Sequence, residues 1–437
     1  MSEREPSAPT ASTALLTDRY ELTMVDAALK AGTAHRRSVF EVFGRSLPGE
    51  RRFGVVAGTG RAIEAIEAFR FRDAELGWLS DNAVVSDATL DRLSRFRFNG
   101  DVRGYAEGEL YVPGSPILQV EGTFLEACLL ETVVLSILNH DSSVATAAAR
   151  MVIAADGRPL AEMGSRRTDA ASAVSAARAA YIAGFGATSN LLAGKRWGVP
   201  TMGTAAHAFT LLHGSEEEAF RAQVDAMGVG TTLLVDTYDV MEGVRTAVRV
   251  AGTGLGAVRL DSGDLPVLVG EVRALLDSLG ATGTRITVTN DLDEFTIAAL
   301  RAAPVDSFGV GTSVVGGSGH PASGFVYKLV AHTDAAGGWV DVAKRSAAKA
   351  TVAGRKFPSR RLSASGVATA EVVARGALAD GRPLHVPLMV AGQAVAAHLG
   401  AAGVARARAH HAAVLAELPP SALSLGRGEP AFPTLFA

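Results

Sequence analysis

From about residue 160 to residue 319 the chain repeats one rhythm. Short apolar strands alternate with Ala-rich helices, about 25–30 residues to the unit. Strand–helix–strand repeats of that length favour a parallel α/β sheet, because parallel neighbours need a crossover long enough for a helix. The unit spanning Glu162 to Phe209 sets the pattern: EMGSRR, an Ala-rich helix, a Gly/Ser/Asn turn, then a strand ending in Gly203-Thr204-Ala205-Ala206-His207. Further strands are predicted at 233–239 (LLVDTYD), 256–265 (GAVRLDSGDL), 285–294 (RITVTNDLDE) and 307–319 (SFGVGTSVVGGSG). Closure into a barrel is favoured over an open doubly wound sheet, since no GxGxxG follows a first strand. The fold expected from this rhythm is thus a parallel α/β sheet closed into a barrel.

The strand ends carry the chemistry. Glu162, Arg166 and Arg167 stand at the first; paired guanidinium forks suit a carboxylate or a phosphate. Thr204 and His207 end the second among small residues that let a ligand approach. Asp236 and Asp239 end the third; Arg259, Asp261 and Asp264 the fourth; Asn290, Asp291, Asp293 and Glu294 the fifth. Any one acid beside a helix start can be an N-cap. Three such ends beside a basic one also suit Mg²⁺ carried on a diphosphate, with Asp261, Asp264 and Asp291 as candidates. At the sixth end, Gly311 and Thr312 offer unobstructed N–H groups and a hydroxyl, as an anion cradle does. GATSNLLAGKRW lacks Walker A spacing. A phosphorylated sugar is the economical ligand for this set.

Composition removes other classes. The 437 residues carry a net charge of -3, which argues against nucleic-acid partners. A single cysteine, Cys128, allows no disulfide framework within the chain and reads as a buried small hydrophobe. No apolar run is long enough to span a bilayer, and the polar start has no signal-peptide core, so a cytoplasmic protein is expected. Residues 1–13 read as a disordered tail. A helix is predicted over 15–30 and a strand over 38–43, then helices at 61–69 and 88–96 and strands at 101–106 and 117–121. The pattern changes near 124, with one long helix, and breaks after about 335. The barrel rhythm is thus expected over 124–335, set off from 14–123 before it and 336–437 after it.

Taken in order, LLTDRYELTM, EMGSRR, PTMGTAAHAF, LLVDTYD, VRLDSGDL, TVTNDLDE, FGVGTS and VYKLV resemble the nicotinate phosphoribosyltransferase family, over about residues 15 to 330. The resemblance implies a type II phosphoribosyltransferase fold: an incomplete α/β barrel over 124–335 and a second α+β domain drawn from both chain ends, 14–123 and 336–437. It implies a homodimer with shared active sites. The implied reaction turns nicotinate, 5-phosphoribosyl 1-diphosphate, ATP and water into nicotinate mononucleotide, diphosphate, ADP and phosphate, with Mg²⁺ as cofactor and ATP as co-substrate.

Family roles carried over residue by residue make His207 the phosphorylated histidine, with Asp236 orienting its imidazole. Tyr20 would stack on the pyridine ring, and Arg166 and Thr204 would meet its carboxylate. Arg259, Asp261 and Asp291 would hold the phosphoribosyl and diphosphate parts, and Gly311 and Thr312 the 5-phosphate. Nicotinamide-using relatives carry an aspartate where Asn190 stands here. A neutral Asn190 would not repel the nicotinate carboxylate, which favours the acid over the amide. His140-Asp141 departs from the bulkier pair the family pattern suggests, and His140 is given no role.

Overall fold

Six short strands form one parallel sheet in the computed structural model, which describes residues 11–344, 351–376 and 381–437. They are β1 (Leu160–Glu162), β2 (Ala187–Thr188), β3 (Thr232–Leu234), β4 (Ala257–Leu260), β5 (Arg285–Val288) and β6 (Ser307–Val310). Their order is β2-β1-β6-β5-β4-β3, and every adjacent pair is parallel. The sheet curls into an incomplete barrel. Leu160, Leu234, Val258, Ile286, Val288, Phe308 and Val310 are all buried, as expected of strands whose crossovers are helices. All six strands end on the same edge, which gathers their polar ends.

The ladders are shorter than the apolar runs suggest. In the run 233–239 the pairing ends at Leu234, with Val235 N donating to the Arg259 carbonyl, because Asp236 leaves the ladder to bind the neighbouring strand's end. The strand expected to end at Thr204 and His207 is a correction. It is one bridge, Thr188 to Thr201, and His207 opens the helix His207–Leu212. Pro200 has no N–H to donate, and its carbonyl accepts from Thr188 N instead.

Contacts divide the chain into Met1–Ser143 with Ala322–Ala437, and Val144–Pro321. Residues 124–143 and 322–335, expected in the barrel, therefore belong to the first unit. The reason is pairing: strand Phe325–Thr333 lies antiparallel to Arg37–Gly44 in a seven-stranded sheet. The long helix expected from 124 is two, Phe124–Cys128 and Glu131–Ala155. Thr123 and Glu126 form a reciprocal capping box that starts the first. Helix Asp73–Asp81 went unread, its polar sequence giving little apolar periodicity. Of the tail expected over 1–13, residues 1–10 lie outside the described residues, while Thr13 Oγ1 donates to the Ala65 carbonyl at 2.7 Å.

The C-terminal hundred residues are tied in by buried charge. Arg360, fully buried, pairs with Glu109 at 2.7 Å and with Glu371. Arg382 reaches Glu109 at 2.7 Å and Glu417 at 2.8 Å, and His410 Nε2 lies 3.0 Å from Glu109. Such a network is costly to break from one side, because the remaining charges stay buried. Cys128 is buried, and burial pushes its thiol up to about 12. Among the described residues no helix is long and apolar enough to cross a membrane.

Two consequences can be measured. Glu21 is buried, and burial pushes its carboxyl up to about 7 from the ordinary 4.5, although Thr132 and Thr17 donate to it. A carboxyl raised on folding costs stability as pH climbs from its unfolded to its folded value. Glu21→Gln should thus gain on the parent by on the order of 1–2 kcal/mol between pH 5 and pH 8 in paired denaturation curves. An offset independent of pH would contradict this. Gly164, just past β1, packs against the end of β6. A Cβ there would lie 2.3 Å from Val315 Cγ1 and 2.9 Å from the Gly311 carbonyl oxygen. Gly164→Ala should cost about 1–3 kcal/mol, read as a lower denaturant midpoint at unchanged slope.

Candidate active site

The strand ends enclose a cavity of about 140 Å³ in the Val144–Pro321 unit. Its lining includes Arg166, Arg167, Arg259, Asp261, Asn290, Asp291, Gly311 and Thr312. A second, more apolar cavity of about 390 Å³ is lined by Thr204, Arg259 and residues at the starts of the strands. Arg259 and Met163 line both cavities.

The floor is built from buried polar groups. Glu162 is fully buried at the end of β1, and one carboxylate oxygen accepts from Gly164 N, the other from Thr188 Oγ1 at 2.6 Å. Burial holds its carboxyl above the usual range. Met163 N donates to the Val310 carbonyl at 2.8 Å, so β1 and β6 stay together past their last ladder residues. Arg166 and Arg167, by contrast, are exposed at the rim.

Arg259 on β4 organises the middle. Its Nε donates to Thr289 Oγ1 at 2.9 Å, and its Nη1 to Thr204 Oγ1 at 3.1 Å and the Ala205 carbonyl at 3.2 Å. Its Nη2 lies 3.2 Å from Asp261 Oδ2. Thr289 Oγ1 donates to the other Asp261 oxygen.

His207 stands at the first turn of its helix. Its Nδ1 is 3.1 Å from Thr237 Oγ1, and its Nε2 is 3.9 Å from Asp261 Oδ2. Asp236 does not orient this ring, which corrects the expectation. Its Oδ2 accepts from Asp261 N at 2.8 Å and Ser262 Oγ at 2.6 Å, while its buried Oδ1 has no hydrogen-bond partner among the described residues. Asp236 shapes the loop that carries Asp261, and Thr237 is the ring's neighbour.

Asn190 also differs from the expectation. Its Oδ1 caps helix Leu191–Trp197 by accepting from Ala193 N at 2.9 Å, and its Nδ2 donates to Ser165 Oγ at 3.0 Å. It lines neither cavity. Asp264 likewise lines neither and stands at the N-terminus of helix Leu265–Ser278. Asp239 and Asp293 are N-caps, accepting from Glu242 N at 2.9 Å and Thr296 N at 2.8 Å. Thr204 lines the second cavity with Arg259. Tyr20 belongs to the first unit, half-exposed on helix Arg19–Lys30. Thr237, Ser262 and Thr289 were missed; hydroxyls one or two residues past an apolar run are the only trace they leave in sequence.

Among the described residues no three His, Cys, Asp or Glu side chains converge as metal ligands. Magnesium bound on a diphosphate needs only one or two carboxylates. Asp261 and Asp291 both line the cavity, and Asp291 is exposed there. That donor set fits such an ion.

Known proteins match this chain along its length. The model for the nicotinate phosphoribosyltransferase (NAPRTase) N-terminal domain matches residues 15–139. Nicotinate phosphoribosyltransferase pncB1 of Mycobacterium tuberculosis (strain ATCC 25618 / H37Rv) is 56% identical over 437 residues, covering 96% of this chain and 94% of that protein. Nicotinate phosphoribosyltransferase of Bacillus subtilis (strain 168) is 38% identical over 356 residues, covering 79% of this chain and 72% of that one. The crystal structure of human nicotinic acid phosphoribosyltransferase superposes with a TM-score of 0.80 at 26% identity, over 97% of each chain. With this identity sustained over nearly the whole length, the chain belongs to the nicotinate phosphoribosyltransferase family.

Proposed function

We propose that the cavity at the strand ends joins nicotinate to 5-phosphoribosyl 1-diphosphate, and that ATP drives the step through a phosphohistidine at His207. The observation that carries this reading is the cavity lining: three arginines, two aspartates and the Gly311–Thr312 turn converge on one space. Such a lining suits a ligand with two anionic ends and a hydroxylated middle.

Gly311 and Thr312 take the 5-phosphate. Asp261 and Asp291 face the ribose and the diphosphate and would hold Mg²⁺ there, which would neutralise the leaving group. The pyridine nitrogen attacks the sugar C1, the C1–O bond breaks, and diphosphate leaves with the electron pair. Little base catalysis is required; positioning and electrostatic stabilisation of the oxocarbenium-like sugar dominate. Arg166, exposed at the rim, takes the nicotinate carboxylate, and Tyr20 of a second copy stacks on the ring. Thr204 is held by Arg259 and acts from the side of the second cavity. Preference for the acid rests on the guanidinium groups rather than on Asn190, whose polar atoms are engaged locally.

Thr237 holds His207 Nδ1. Nε2 then takes the γ-phosphoryl group of ATP, the ring loses a proton, and ADP departs. The phosphohistidine adds negative charge beside Asp261 and shifts the affinity of the site until water removes the phosphoryl group as phosphate.

His207→Ala should lose ATP hydrolysis and retain part of the phosphoribosyl transfer. Acid-labile label from γ-labelled ATP should appear on the parent and vanish in the variant; equal labelling of both would remove the phosphohistidine. Arg166→Ala should raise KM for nicotinate about tenfold or more, the loss of a bond between charged groups. Parent rates favouring nicotinamide over nicotinate would overturn the choice of base.

A further inference from the structure

The turn after β6 holds three successive residues in the left-handed region: Gly317 at φ 61°, Ser318 at φ 50° and Gly319 at φ 81°. Glycine adopts this region freely, whereas a residue with a Cβ does so at a cost. The middle position is nevertheless serine, and its hydroxyl donates to Glu294 Oε2 at 2.7 Å. The other oxygen, Glu294 Oε1, accepts from Arg150 Nε at 3.0 Å, with both side chains buried. Glu294 lies three residues after Asp291, and Asp293 fixes the intervening turn by capping helix Glu294–Ala299.

The turn carrying Ser318 is folded directly back on the phosphate cradle. Ser318 N donates to the Ser313 carbonyl at 2.7 Å, Gly317 N to Val314 at 3.2 Å and Gly316 N to Thr312 at 3.0 Å. These bonds hold the segment from Gly311 to Ser318 together, and Ser318 ties it to the Glu294 carboxylate past the end of β5. Through Ser318 and the Asp293-capped turn, that carboxylate links the two segments that carry the cavity walls Asn290–Asp291 and Gly311–Thr312. Arg150, on the long helix Glu131–Ala155, braces it from behind.

We infer that Glu294 is a positioning residue for the phosphoribosyl donor: with Ser318 and Arg150 it sets the spacing between the walls that take the 5-phosphate and the sugar. This rests on the functional reading above. Glu294 touches no reacting atom, so its loss should weaken donor binding without altering the chemical step.

Steady-state kinetics of the full chain with nicotinate, 5-phosphoribosyl 1-diphosphate, Mg²⁺ and ATP test it. Ser318→Gly keeps the backbone at ease and removes the hydroxyl together with its Cβ. It should raise KM for 5-phosphoribosyl 1-diphosphate about three- to tenfold. Its kcat and its KM for nicotinate should stay within about twofold of the parent, as expected when uniform binding alone is lost. Glu294→Ala should raise the donor KM further, and Glu294→Gln, which keeps an acceptor and the size, should recover part of it. A donor KM unchanged in Ser318→Gly, or kcat falling with donor KM constant, overturns the positioning role while leaving the proposed reaction intact. A parent protein that makes no nicotinate mononucleotide overturns both.

Discussion

Four groups from three stretches of chain meet on the Arg259 guanidinium: Thr204 with the Ala205 carbonyl, Asp261, and Thr289. The segment before His207 pairs with the sheet only at the Thr188–Thr201 bridge. Arg259 fastens the far end of that segment to the ends of β4 and β5. A planar fork with five donors can do this; a lysine ammonium, a point charge on a flexible stem, could not hold the same directions. The placement of His207 beside Asp261 follows from that fastening, as does the wall between the two cavities. Only 11% of the Arg259 side chain is exposed, and its partners meet the need for hydrogen bonds that so buried a cation imposes.

The acids at the strand ends look alike in sequence and do three different things. Asp239 and Asp293 cap helices, which meets the unpaired N–H groups of a first helical turn. Asp236 and Glu162 are buried and hold backbone or hydroxyl groups of neighbouring turns, so their work is to fix loops. Asp261 and Asp291 alone among the strand-end aspartates reach the cavity lining. Burial sorts these roles. Glu162 spends both of its oxygens and Asp236 one of its own on fixed donors, and a carboxylate at the cavity surface keeps room for a ligand or for a hydrated metal.

That sorting marks what could be read from the chain and what could not. The β-α rhythm, the parallel sheet and the gathering of Arg166, Arg259, Asp261, Asp291, Gly311 and Thr312 were legible, because apolar runs mark the strands and parallel strands put their ends together; the incompleteness of the barrel came only from the family resemblance. The position of Asn190 in a polar turn was legible as well; its use as a cap was not, since capping depends on where the next helix starts. The exchange of Asp236 for Thr237 as the neighbour of His207 turns on one residue after β3. A shift of one residue there changes which side chain faces the ring, and no periodicity resolves it. The unit boundary was misplaced because Phe325–Thr333 continues the apolar pattern of the barrel strands while pairing antiparallel with Arg37–Gly44. Pairing partner, rather than local pattern, assigns a strand to its sheet.

The cavity also separates rigid parts from adaptable ones. Glu162, Glu294 and Arg150 are buried and fully engaged beneath it, while Arg166, Arg167 and Asp291 are exposed above. A site for a highly charged donor has two requirements that conflict. Its walls must be preorganised, since positioning supplies most of the acceleration when little acid–base chemistry is needed. Its ion-pairing groups must stay hydrated until the ligand arrives, since burying unpaired charge costs several kcal/mol per ion. Buried carboxylates that tie loop to loop satisfy the first requirement. Exposed guanidinium groups on a short turn, anchored by Gly164 against β6, satisfy the second.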